Sequence, residues 1–158
     1  MNRTVIALTV LASLSLSIQG VAQNTAPATV LLAGAGAEPH INSLLDGLSD
    51  QLKAAGVNVK LLQIEGKSRT AAVEYLKTSG AQSLLYATAD INVGPRVGMG
   101  QQDKLTLQCF DKNGTQLWEE KVSGGMMAGS ADKSVKNMLK NIQKKLEPRI
   151  GQAGLPKT

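Results

Sequence analysis

Residues 105–122 read LTLQCFDKNGTQLWEEKV, the strongest local structural signal in the chain. Leu105, Leu107 and Cys109 alternate with polar neighbours, the period-two signature of a strand with one buried face. Asn113-Gly114 follows, and residues 116–122 return as a second strand-like run. Asn-Gly between two such runs favours a two-residue type I′ turn, because both central positions need positive φ. With a two-residue turn, Cys109 lies directly opposite Trp118 on one face. The stretch is therefore an antiparallel hairpin.

Upstream of it the pattern changes. Thr29-Val30-Leu31-Leu32-Ala33 is a short apolar run ended by Gly34 and Gly36, which predicts a buried strand feeding a loop. Ile41, Leu44, Leu45, Leu48, Leu52 and Ala55 recur at helical spacing, with Gly56 as the stop. Residues 57–65 are β-rich and punctuated by Gly66. Residues 70–78 predict a shorter helix that buries Val73 and Leu76 and closes at Gly80, and residues 82–93 predict the next strand. Gly94-Pro95-Arg96-Val97-Gly98-Met99-Gly100 cannot continue a strand and reads as a flexible hairpin loop. Beyond the 105–122 hairpin, Val135, Met138, Leu139, Ile142 and Leu146 form the apolar stripe of a last helix over 131–147, ended by Pro148.

The order is β-α-β-α-β-β-β-α. Two early βα crossovers imply neighbouring parallel strands, and the hairpin adds antiparallel ones. The expected fold is α/β: a single domain at 29–150 with a mixed sheet of about five strands and three helices. A flexible lead at 23–28 and a flexible tail at 151–158 flank it.

The start of the chain speaks to compartment. Met1-Asn2-Arg3 is a short basic start, residues 5–18 are apolar, and Gly20-Val21-Ala22 places small residues where a signal peptidase reads. Residues 1–22 thus predict a secretory signal cleaved near Ala22–Gln23, too short for a stable membrane span. The expected location is secreted or periplasmic. No cysteine ends the signal, so no lipid anchor is expected. Cys109 is the one cysteine, which excludes an intrachain disulfide. It reads as a buried, inert strand residue, with a reactive thiol as the alternative.

Charge is concentrated. Seventeen bases less Arg3 leave sixteen against twelve acids after cleavage, a net of +4. Residues 131–150 alone hold Lys133, Lys136, Lys140, Lys144, Lys145 and Arg149 against Asp132 and Glu147, also +4. Lys133, Lys136, Lys140 and Lys144 fall at spacings of three, four and four and line one helix face opposite the apolar stripe. Such a face can hold an anionic membrane surface, a glycolipid or an acidic partner; the plainer reading of the same residues is a solvated helix exterior, with cations favoured near the carboxyl end. Nucleic acid does not fit, with four aromatics and no basic–aromatic interleaving.

Signs of chemistry are thin. Gly34-Ala35-Gly36 lacks the third glycine of a dinucleotide turn, Pro39 standing there. Gly66-Lys67-Ser68 lacks the upstream glycine of a phosphate loop, Leu61 standing there. Ser130 and Lys133 match a Ser-x-x-Lys pair, but Ser130 and Asp132 also make a helix N-terminus. His40 is the one histidine, which excludes metal sites built on several imidazoles, and its Glu38-Pro39-His40 setting reads as solvated loop. Neither a metal nor a cofactor is expected.

The hairpin also carries a resemblance. Leu105-Thr106-Leu107-Gln108-Cys109-Phe110, then Asp111, Gly114, Leu117 and Trp118, follow a strand opened by Gly80-Ala81-Gln82 and Leu84-Leu85-Tyr86-Ala87. From about residue 28 to 150 the chain resembles the TolB N-terminal domain group, with curli-secretion lipoproteins and lipoprotein activators of penicillin-binding proteins. The resemblance implies a non-catalytic accessory acting through contacts in the cell envelope. The candidate surfaces are Lys133, Lys136, Lys140 and Lys144, and the loop with Gly94, Arg96, Gly98 and Gly100, whose ordering cost binding can offset. Two other classes remain: a small serine hydrolase using Ser130 with Lys133, and a periplasmic protein holding a small ligand near Gly34 and Gly36.

Overall fold

A computed structural model describes residues 27–63, 68–92, 102–125 and 130–158. The elements run β1 (Thr29–Gly36), α1 (His40–Ala54), β2 (Asn58–Leu61), α2 (Arg69–Ser79), β3 (Ser83–Asp90), β4 (Lys104–Asp111), β5 (Gln116–Ser123) and α3 (Ala131–Leu146). A single 3₁₀ turn, Glu147–Arg149, follows α3. The sheet order is β2-β1-β3-β4-β5. β1 is parallel to both β2 and β3, and β4 and β5 join antiparallel. The expected α/β class, strand count, helix count and element order all hold.

β1 is an interior strand, between β2 and β3, and is buried on both faces, which is why its sequence is apolar without alternation. Val30 and Leu32 enter the core shared with α1 and α3, where Leu44, Leu48, Leu107, Met138 and Ile142 pack. Leu31 and Ala33 point the other way, to a smaller core with Ala72, Leu76, Leu84 and Phe110 under α2. So α1 and α3 cover one face of the sheet and α2 the other.

Gly34 and Gly36 do not end β1. They stay in the strand, paired with Ala87 and Ala89 of β3. A Cβ on Gly34 would lie 2.6 Å from the Ala87 carbonyl oxygen and 3.2 Å from Ile41 Cδ1. The glycines therefore serve close strand and helix packing rather than an early turn. α2 begins one residue before its expected start, with Ser68 Oγ accepting from the Ala71 N–H at 3.2 Å. It buries Ala72 with Leu76, a spacing of four, and leaves Val73 only partly covered.

The hairpin pairs Cys109 with Trp118 as expected, but not through a two-residue turn. Asp111 reorganises the loop. Its Oδ1 accepts from the Asn113 and Thr115 N–H groups at 2.9 and 2.8 Å, and its carbonyl accepts from Gly114 N–H at 2.8 Å. The Asp111 N–H donates to the Thr115 carbonyl at 2.9 Å, which closes a three-residue loop over Lys112, Asn113 and Gly114. Gly114 takes the left-handed position, φ 83°. The extra loop residue is absorbed by a bulge. Phe110 pairs with Gln116 while Cys109 pairs with Trp118, which leaves Leu117 unpaired and 40% exposed.

Residues 151–158, expected as a flexible tail, dock instead. Leu155 is fully buried in the core beneath α1 and α3. Ser83 Oγ donates to the Gly154 carbonyl at 2.5 Å, and the Thr158 N–H and hydroxyl both donate to the Gly56 carbonyl at 2.9 Å. A lone leucine among glycines and a proline has no periodicity to announce it, so its burial is decided by tertiary contact alone.

Candidate functional site: a basic helix face

α3 forms where its sequence says. Ser130 caps it, with Oγ accepting from the Lys133 N–H at 3.3 Å, and Asp132 sits in the positive first turn. Lys144 and Lys145 occupy the last turn, where the carbonyl end of the helix favours cations. Val135, Met138, Ile142 and Leu146 are buried, together with Ser134, which the stripe did not include. Leu139 is half-buried and packs on Gly47 of α1, where a Cβ would lie 2.5 Å from Leu139 Cδ1.

Two asparagines fix the rotation of α3. Asn137 Nδ2 donates to the Gly124 carbonyl at 2.8 Å, and Asn141 Nδ2 to the Ser123 carbonyl at 3.1 Å. On the far side, Gln51 Nε2 of α1 donates to the Leu139 carbonyl at 3.3 Å. Held from β5 and from α1, the helix turns its remaining face to solvent.

That face carries the lysines. Lys133, Lys136, Lys140 and Lys144 are all exposed. Successive side chains stand ~4.5–6 Å apart along the axis, and the row spans ~16 Å at 1.5 Å of rise per residue. Among the described residues none of the four makes an ion pair within 4 Å. The other two bases of the segment are engaged. Arg149 lies 2.9 Å from Glu120 Oε1 and 5.4 Å from the centre of the Trp118 ring, while Lys145 lies 3.9 Å from Glu120 Oε2. The six-base run thus divides into two that anchor the helix end to β5 and four that face outward.

The loop residues Gly94, Arg96, Gly98 and Gly100 lie outside the described residues, as do residues 1–26 with the expected signal.

The remaining candidates separate. Ser130 acts as a cap and Lys133 gives it a backbone N–H, so the pair is explained by helix initiation. His40 is not in a solvated loop. It opens α1, its side chain is 17% exposed, and its Nδ1 lies 3.5 Å from Asp132 Oδ1 across to α3. No local pattern could have announced that pair, because it depends on two distant helix N-termini packing side by side. Cys109 is buried, and burial first, then the nearby Asp111 charge, pushes its thiol up to about 12. At neutral pH it is the un-ionised, poorly nucleophilic form. A polar chain on the other sheet face also escaped the sequence: Arg69 Nη1 donates to Gln108 Oε1 at 3.3 Å, and Gln108 Nε2 to Glu119 Oε2 at 2.8 Å. A cavity of about 170 Å³ sits at the amino ends of β1 and β3, lined by Leu31, Lys60, Tyr75 and Ser79. It is at the opposite end of β1 from Gly34 and Gly36, and smaller than the ~300–1,000 Å³ of typical ligand pockets. Among the described residues no cluster of three or more His, Cys, Asp or Glu side chains could hold a metal ion. Nor is any helix there long and apolar enough to cross a membrane.

No family model matches this chain, and no curated sequence matches it. Among solved structures, a PelC point-variant dodecamer from Paraburkholderia phytofirmans is similar at 16% identity and a TM-score of 0.48, over 74% of this chain and 86% of that one. The lipoprotein GNA1162 from Neisseria meningitidis is similar at 16% identity and a TM-score of 0.43, over 75% and 99%. A neuraminyllactose-binding hemagglutinin homolog from Helicobacter pylori is similar at 11% identity and a TM-score of 0.46, over 79% and 88%.

Proposed function

We propose that this chain is an exported, non-catalytic accessory domain of the cell envelope, of the TolB N-terminal type, that works by holding an anionic partner on the lysine face of α3. The observation that carries the reading is the row of four exposed lysines with no ion pair among the described residues. A solvated helix built only for solubility gains a few tenths of a kcal/mol from each i,i+4 acid–base pair, roughly 0.2–0.5 kcal/mol. In the row, Lys136 has Asp132 four residues before it and Lys144 has Glu147 three after it, whereas Lys133 and Lys140 have no acid at pairing spacing. Its neighbour α1 carries Lys53 against Asp46 and Asp50, so it adds no net positive charge beside the row. The loop with Gly94, Arg96, Gly98 and Gly100 is proposed as a second contact surface. The capping role of Ser130 counts against the serine-hydrolase alternative.

The test is salt-titrated capture from envelope extract, comparing residues 23–158 with the triple variant Lys136→Glu, Lys140→Glu, Lys144→Glu. The expected result is a partner retained by the wild type, released as ionic strength rises and lost in the variant. Equal retention by both proteins, each shown folded by circular dichroism, removes the lysine face from the account.

A further inference from the structure

We infer, resting on the reading just given, that the anionic partner of α3 is a linear acidic polysaccharide lying lengthwise along the helix, not a lipid bilayer. Three features of the face argue for a strand over a sheet of charge. The first is shape: Lys133, Lys136, Lys140 and Lys144 make a row one side chain wide and ~16 Å long. Of the positions beside it, Asn137, Asn141 and Gln143 are neutral, and the acids Asp132 and Glu147 stand at its two ends. A planar anionic surface would draw on bases over a broad area, and the rest of the domain supplies none in excess. Residues 23–130 hold nine Lys and Arg against ten Asp and Glu.

The second is the absence of an insertion element on this helix. Peripheral membrane helices bury an apolar face in the headgroup boundary. The apolar residues of α3 are committed to the protein core: Val135, Met138, Ile142 and Leu146 are buried, and Leu139 is half-buried on α1.

The third is spacing. Successive ammonium groups recur about once per helical turn, ~5.4 Å. A chain with one carboxylate per pyranose ring repeats its charge at an interval of the same order, so a strand of about four rings matches the length of the row. Asn137 and Asn141, bonded to the Gly124 and Ser123 carbonyls, hold the row straight by locking the helix against β5.

The experiment is calorimetric titration of residues 23–158 with galacturonate oligomers of increasing length, from the monomer upward. Parallel sedimentation uses vesicles of phosphatidylcholine with and without phosphatidylglycerol. Affinity is expected to climb until the oligomer spans the row and then to level off. A charge-conserving double variant, Lys140→Gln with Thr78→Lys, moves one charge to exposed α2 on the opposite sheet face. It should weaken the long oligomer about fivefold, the equivalent of one exposed ion pair at its upper value. Two results overturn the inference and leave the basic-face reading standing. One is oligomer affinity independent of length; the other is binding to phosphatidylglycerol vesicles tighter than to any oligomer, provided in each case that the Lys136, Lys140, Lys144→Glu variant abolishes it. Undiminished oligomer binding by that triple variant overturns both.

Discussion

Changing Leu155 to Ala should destabilise the domain far more than a substitution at an exposed position ordinarily does. Leu155 is fully buried among the side chains shared by α1, α3 and the sheet. The substitution removes three carbons, about 2.4 kcal/mol at ~0.8 kcal/mol per buried CH₂. Leucine-to-alanine changes in a rigid core cost ~2.7–5 kcal/mol because a cavity remains. The low end of that range, about 2.7–3 kcal/mol, is the expected cost. For a domain of this size each kcal/mol moves Tm by ~3–5 °C, which gives a fall of about 8–15 °C. Thermal unfolding of residues 23–158 followed by far-ultraviolet circular dichroism measures it. Leu155→Met, which conserves volume, serves as the control and should cost under ~1.5 kcal/mol. Trp118, the single tryptophan, gives a local readout, since a Cβ on Gly154 would lie 3.7 Å from its Nε1. Its emission should shift to the red when residues 151–158 are removed. A Leu155→Ala protein melting within about 2 °C of wild type, well under the shift expected for one kcal/mol, would refute the docked tail.

Other consequences are as direct. Cys109 should resist a thiol reagent in the folded protein and react at once in denaturant. Its folded thiol is raised from an ordinary 9.0 to about 12, so the stability tied to the protonated form is complete below about pH 9 and lost as pH rises toward 12. Urea midpoints measured across that interval should fall, and Cys109→Ala should flatten the fall. Ser130→Ala should cost about 1 kcal/mol as a lost cap, and Ser130→Asp should restore it. Hydrolytic turnover abolished by Ser130→Ala in a protein of unchanged Tm would instead revive the serine-hydrolase reading.

The sequence made the architecture legible because its strongest signals are local. Alternation at Leu105, Leu107 and Cys109, the unbroken apolar run of β1 and the stripe of α3 each report which faces are buried. Even the Cys109–Trp118 register came through, although by compensation: Asp111 drew a third residue into the turn and the Leu117 bulge restored the count. What stayed hidden depends on partners remote in sequence. Leu155 finds its place only once α1 and α3 have covered the sheet. His40 meets Asp132 only because two helices pack with their N-termini together. The division of the basic segment followed the same rule. Helical spacing placed four lysines on one face, but only β5, through Glu120, shows that Lys145 and Arg149 are occupied elsewhere.

Amide chemical-shift mapping of ¹⁵N-labelled residues 23–158 during titration with polygalacturonate reads the lysine face residue by residue. Perturbations should concentrate along α3 at Lys133, Lys136, Lys140 and Lys144 and be reversed by added salt. Perturbations gathered instead at residues 94–100, or at the carboxyl ends of β1 and β3, with α3 unmoved, would contradict the lysine-face reading.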